Sequence, residues 1–276
     1  MTTDIRTHEH NGCRLSYTVD GTGPPALFIQ GTGVHGAAWR PQTDVLSARY
    51  ACLSFDNRGV GQSQPRGAPI SIAQMANDAL ALLDAAGWEN AHIVGHSLGG
   101  IVAQELALQA PTRVRSLALV CTFSRGRDAM QISPYVLWTG FRSRVGTRAM
   151  RRSAFLQLML TPAEHAREDV ARLAEALKPV FGHDLADQPP VMLAQMRAMA
   201  KYDASDRLRE LSGIATLVIS AALDRISPPW VSRKIAKDIP GSRYVEIPDA
   251  AHGVPVRQPA VVNHLLREHF AAVDAR

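Results

Sequence analysis

Five residues, Gly95-His96-Ser97-Leu98-Gly99, constrain this chain more than any other stretch. A serine stands between two glycines, directly after the apolar run 91–94 and directly before the helical pattern 98–110. That order suits a strand that stops abruptly, a serine held in a strained backbone conformation and a helix that leaves at once. Glycines two residues to either side leave room where a Cβ would strike the neighbouring strand or helix. The helix N-terminus then aims unpaired N–H groups and the positive end of its dipole at the serine. Ser97 is therefore the candidate nucleophile.

The rest of the chain is read outward from that point. Short apolar runs at 26–30, 51–55, 115–121 and 215–220 predict buried strands, and 13–19 and 243–247 predict two more. The stretch 70–87 is an amphipathic helix that Ser71 caps and Gly87 stops, with Ile72, Met75, Ala79 and Leu83 on its inner face. Further helices are expected at 230–239 and 258–273. Strands alternating with helices predict an α/β fold, a mostly parallel sheet with helices on both faces. The segment 124–209 breaks the rhythm. It shows no strand pattern, and Pro134, Pro162, Pro179 and Pro189-Pro190 punctuate helical stretches rich in Leu, Ala, Met and Arg. The expected organisation is a core domain of 1–123 and 210–276, with 124–209 inserted as a helical cap over the carboxyl ends of the strands. Open α/β sheets bind ligands at those ends.

A length of 276 residues suits one large domain with an insertion. Net charge is +5, and one stretch accounts for the excess: Arg125, Arg127, Arg142, Arg144, Arg148, Arg151 and Arg152 face Asp128 as the only acid among them. Without interleaved aromatics on a recognisable binding motif, this is read as a solvated helical surface and not as a nucleic-acid site. Attraction of acidic substrates or of membranes is the other reading. Cys13, Cys52 and Cys121 are an odd number of thiols at strand positions, without metal-ligand spacing, which fits a reduced compartment. The segment 1–11 is polar and has no signal-like apolar core, and no apolar run approaches the roughly 20 residues of a membrane span. A cytoplasmic location is expected.

A serine needs a general base, and the base needs a group to orient it. His252, in the loop after the 243–247 strand, is the best base among the ten histidines; His264 and His269 lie inside the final helix and are expected on its surface. Asp224, just after the 215–220 strand, is the expected acid. Its rival Asp249, three residues before His252, reads as a turn former. The Leu98 amide is one candidate oxyanion donor. The other comes from the Gly-rich segment 30–36, where Thr32 is the best placed. His35 and Trp39 are candidates for the pocket wall. Trp138 and Phe141, three apart on a predicted helix, are candidates too, with packing of the cap on the core as the stronger reading and Met192, Met196 and Met199 as the next stretch to consider. The segment 56–63 lacks the Gly-Lys-Ser/Thr of a phosphate loop and is read as a structural turn near the sheet edge.

Taken in order, Gly95-His96-Ser97-Leu98-Gly99-Gly100, Asp56-Asn57-Arg58-Gly59 with Gly61 and Ser63, Asp224 and Ala251-His252-Gly253 resemble the α/β-hydrolase fold family over almost the whole chain. The resemblance implies an eight-stranded, mostly parallel sheet, a helical cap, the order Ser…Asp…His and hydrolysis without a cofactor or metal. It points to the small esterases, enol-lactonases and methylesterases, with a small-molecule ester or lactone as substrate. Gln30 departs from the pattern, since many members carry His there. A serine at 97 argues against the branches whose nucleophile is a carboxylate. Carbon–carbon bond hydrolysis, acyl transfer or perhydrolysis, and a ligand receptor on the same fold are the alternatives.

Overall fold

The computed structural model describes residues 4–65, 69–130 and 133–275. From the N-terminus come β1 (Ile5–His10), β2 (Cys13–Asp20), β3 (Pro25–Ile29), α1 (Arg40–Leu46), β4 (Ala51–Phe55), α2 (Ile72–Ala85), β5 (Ala91–His96), α3 (Leu98–Gln109) and β6 (Val114–Val120). The helices α4 (Gly126–Met130), α5 (Pro134–Arg142), α6 (Arg148–Met159), α7 (Pro162–Arg167), α8 (Val170–Phe181) and α9 (Val191–Lys201) follow with no intervening strand among the described residues. The chain then returns through β7 (Thr216–Ala221), α10 (Pro229–Asp238), β8 (Arg243–Ile247), α11 (Val254–Arg257) and α12 (Pro259–Asp274).

The strands form one sheet of eight in the order β1-β2-β4-β3-β5-β6-β7-β8. β2 runs antiparallel to β1 and β4, and every other pairing is parallel. Alternation along each strand divides the core in two. Leu27, Ile29, Ile93 and Leu117 pack with α2, α3 and α10, whereas Phe28, Val94, Ala118 and Val120 pack with α11 and α12. α6 and α8 build a smaller core of their own, in which the rings of Phe155 and Phe181 meet edge to face at 5.4 Å. Val34, after β3, and Val256 of α11 pack against it, and the Gly253 amide donates to Met159 O at 2.9 Å. The inserted helices thus rest on the loops that leave β3 and β8.

The expected helix at 70–87 runs Ile72–Ala85, and the Ser71 hydroxyl accepts the Gln74 amide at 3.1 Å. Three elements were not legible, the four-residue α11 among them. β1 is a largely exposed polar edge strand, Ile-Arg-Thr-His-Glu-His, held by its antiparallel pairing with β2, so it lacks the apolar alternation that marks a strand. α1 spans seven residues and is too short to show a period. No helix among the described residues is long and apolar enough to cross a membrane.

Candidate active site

Ser97 is the single residue between β5 and α3, with φ 54° and ψ −121°. A non-glycine residue in that region costs about 1–3 kcal/mol and persists only where its neighbours hold it. They do so here: the Ser97 amide donates to Val120 O at 3.0 Å, and Ser97 O accepts from Thr122 Oγ1 at 2.6 Å and from the Gly100 amide at 3.0 Å. The flanking glycines are sterically required. A Cβ on Gly95 would lie 2.3 Å from Gly99 O, and one on Gly99 would lie 2.1 Å from Ile29 O.

His252 and Asp224, each buried in the turn beyond a neighbouring strand, meet at 2.7 Å between Nδ1 and Oδ2. A carboxylate only accepts, so the neutral ring carries its proton on Nδ1 and presents a bare Nε2. The second oxygen of Asp224 accepts the amides of Ile226 and Ser227 at 2.8 and 2.9 Å, which fixes the carboxylate plane. Asp249 is an exposed turn residue at φ 50°, as its sequence context suggests. His264 is exposed beside Glu268, but His269 is buried, contrary to expectation, because α12 turns that side toward the sheet.

His96 joins the two halves of the site. Its Nε2–H donates to the His252 carbonyl at 3.0 Å, and the two rings lie 4.9 Å apart. Burial pushes the His96 pKa down to about 3, so the ring is neutral. Cys121, one residue beyond β6, completes the surroundings. Its sulfur, an Asp224 oxygen and a His252 ring nitrogen lie within 4.8 Å of one another. Those three residue types are those of a metal site. Burial, however, pushes the Cys121 thiol well above its ordinary range, the charge of Asp224 adds to this, and the thiol donates to that carboxylate. A protonated thiol and an imidazole nitrogen already engaged suit a hydrogen-bonded array better than a cation.

The loop after β3 touches the serine, since a Cβ on Gly31 would lie 3.3 Å from Ser97 Cβ. Its amides are nearly all spoken for. Gly31 N–H donates to Gln30 Oε1 at 2.8 Å, Gly33 N–H to Gln195 Oε1 at 2.8 Å, and Val34 N–H to Gly31 O at 3.4 Å. Among the described residues no hydrogen bond engages the Thr32 amide. Leu98 opens α3, so its amide has no carbonyl four residues behind it in the helix. Asn57 Nδ2 donates to Gln30 O at 3.0 Å, and Asp56 Oδ1 accepts the Gly36 amide at 2.8 Å. The 56–63 segment is therefore a turn, as expected, but it does not lie at the sheet edge. It leaves β4, third from the end, and braces the loop. Gln195 was missed in the sequence, and Asn57, although part of the 56–63 pattern, was not singled out as the brace. Each acts through a contact far along the chain.

The remaining candidates separate. His35 is half-buried, its Nδ1 3.8 Å from Asp56 Oδ1, and it is wedged where a Cβ on Gly182 would come within 2.3 Å of its ring. Trp39 is fully buried between Phe28, at 5.4 Å, and the edge of His96, at 6.3 Å, so it supports the site from beneath. Trp138 and Phe141 stack at 5.8 Å and are 60% and 53% exposed, which overturns the expectation that they pack the cap onto the core. Met192 lies 3.6 Å from where a Gly33 Cβ would stand, Met199 packs against the larger core, and Met196 is partly exposed.

A doubly wound sheet with a serine at the sharp turn from strand to helix, and an acid and a histidine beyond two later strands, defines the elbow class of α/β enzymes. The family model described as "alpha/beta hydrolase fold" matches residues 24–256, and the chain belongs to that family. Among its relatives, a protein of Azorhizobium caulinodans that carries the name carbamate hydrolase RutD is 33% identical, the match covering 97% of this chain and 99% of the relative. Among solved structures, the Mycobacterium tuberculosis protein that carries the name non-heme bromoperoxidase BpoC superposes with a TM-score of 0.82 at 27% identity, covering 97% of this chain and 99% of that one. The enol-lactonase from Burkholderia xenovorans superposes with a TM-score of 0.81 at 26% identity, covering 96% of this chain and 100% of that one.

Proposed function

We propose that this protein is a serine hydrolase that cleaves a small carboxylic ester or lactone through an acyl-enzyme. The observation that carries the reading is the 2.7 Å bond from His252 to Asp224, made while His96, the residue before Ser97, holds the backbone of that same histidine. In this reading Ser97 Oγ attacks the acyl carbon and its proton passes to His252 Nε2. Asp224 holds the tautomer and stabilises the imidazolium. The amides of Thr32 and Leu98 hold the oxyanion. Collapse expels the alkoxide, which takes the proton from His252, and the acyl group stays on Ser97. His252 then activates water, the acyl–Ser97 bond breaks, and the carboxylic acid leaves. Every step uses groups of the chain and water, so no cofactor is required. The helices of 124–209 serve as the cap whose side chains shape the pocket, supported by the contacts of Val34 and Gly253 beneath them.

A carbamate substrate is the second reading, favoured by the name of the Azorhizobium relative. It uses the same attack on a carbonyl: the alcohol or phenol leaves with the proton from His252, the carbamoyl group stays on Ser97, and water then releases it as carbamic acid. The test is a panel of p-nitrophenyl esters, lactones, aryl carbamates and diketones, with Ser97→Ala as the control. Ser97-dependent release of acid from an ester or lactone supports the proposal. Turnover confined to carbamates selects the second reading, and turnover that survives Ser97→Ala rejects both.

A further inference from the structure

The most exposed apolar surface among the large side chains lies on the inserted helices and not in the site. Leu137, Trp138 and Phe141 of α5 are 53–60% exposed, and Val145, in the bend between α5 and α6, is 48% exposed. Leu193 of α9 is 51% exposed and Met196 36%. Arg144, in the turn after α5, reaches Met196 Sδ with its Nη2 at 3.7 Å and so ties the end of α5 to α9. Contiguous apolar surface of this kind marks an interaction site.

Its charge says what covers it. α5, α6 and α9 contain Arg142, Arg148, Arg151, Arg152, Arg197 and Lys201 and no acidic residue. Arg148 and Arg152 are occupied by Asp184, and Arg151 lies 4.0 Å from Asp187. Arg142 instead lies with its guanidinium over the Trp138 ring at 5.8 Å. Aromatic and aliphatic side chains beside Arg142 and Arg144, on helices that carry no acid of their own, fit an anionic lipid surface: the rings enter the acyl boundary and the guanidinium groups meet the phosphates. A second copy of the chain fits worse, because in a two-fold contact this net-positive face would meet its own copy, which like charges disfavour.

The face also borders the candidate site. Arg225, next to Asp224, lies over the Tyr135 ring of α5 at 4.3 Å, and α9 holds the Gly33 amide from its inner side. We infer that the α5–α9 face docks this protein on anionic lipid surfaces, with the mouth of its site beside the interface. The inference goes beyond the hydrolytic reading and stands apart from it, because its test measures binding alone.

The test is co-sedimentation of the full chain with vesicles of phosphatidylcholine alone or with roughly one third phosphatidylglycerol. The expected result is about tenfold more protein on the anionic vesicles at low salt, falling toward the neutral level near 0.5 M salt as the charges are screened. Leu137→Asp with Leu193→Asp, and separately Arg142→Glu with Arg144→Glu, should each abolish the difference while the melting temperature stays near wild type. Wild-type protein that ignores both vesicles, or that binds them equally, overturns the inference without reference to the variants. So does a lipid-independent dimer that Leu137→Asp dissolves, which would assign the face to a second copy.

Discussion

At φ 54°, Ser97 stores strain that the Val120, Thr122 and Gly100 bonds offset. In the proposed mechanism His252 and Asp224 act on it as a unit, and a conservative change at the acid tests that role. Asp224→Asn keeps the shape but lets the side-chain amide donate to Nδ1, which favours the wrong tautomer; kcat should fall by about ten-thousand-fold with the fold intact. Asp249→Asn, in the exposed turn, should leave kcat unchanged. Steady-state kinetics of the two variants decide between the acids, and the reverse outcome would exchange their roles. His96 makes a different prediction. Its pKa of about 3 in the native state lies below the value of about 6.5 expected in the unfolded chain. Between those values the unfolded chain binds a proton that the native ring refuses, so stability is lost as pH falls through that window. His92, lowered by burial to about 4, has the same sign. His96→Gln, which can still donate to the His252 carbonyl, should flatten part of the acid limb in urea unfolding measured from pH 7 to 4. An unchanged slope would show that His96 does not titrate as described.

Among the elements, the turn from β5 into α3 is the most demanding sterically. Gly99→Ala would drive a Cβ into the backbone of Ile29, where nothing flexible can yield. The expected loss is about 1–3 kcal/mol or more, with activity lost in proportion as the oxyanion loop is displaced. Gly87→Ala is the control: its φ is 71° but no atom lies within 4 Å, so it should cost about 1–2 kcal/mol and spare kcat. Thermal melts and initial rates on both variants check the pair. The same element was the most legible part of the sequence, because steric demand fixes residue type at fixed spacing. Asp224 and His252 were legible as candidates because each falls in the turn beyond a predicted strand, and the structure joins them at 2.7 Å. The bracing contacts of Gln195 and Asn57 were not legible, since a buried amide on a helix or turn looks like any solvated one until the tertiary contact is known. The exposure of Trp138 and Phe141 was misread for the converse reason, as an apolar pair at helical spacing gives no sign of whether the protein or a partner covers it.

Over the whole molecule, the N-terminal β-ribbon and the helical layer are locked together by a buried ion pair. Arg58, fully buried, meets Asp78 of α2 at 2.5 Å and also donates to the carbonyls of His10 and Asn11. Breaking one side of such a pair leaves a buried charge uncompensated, so Asp78→Ala should cost about 3–5 kcal/mol in urea denaturation. A loss below about 1 kcal/mol would mean that the guanidinium finds water or another acid. The pair also anchors the 56–63 turn, and through Asn57 that turn holds the loop against Ser97. The molecule's stability and its candidate chemistry therefore share one brace. The central claim is that Ser97 is the activated nucleophile of this array. Peptide mapping by mass spectrometry after brief exposure to a serine-directed phosphonate tests it most directly. A single adduct on Ser97, absent in Ser97→Ala and greatly slowed in His252→Ala, is the predicted result. An adduct on another residue, or none in a protein that still turns over ester, would contradict it.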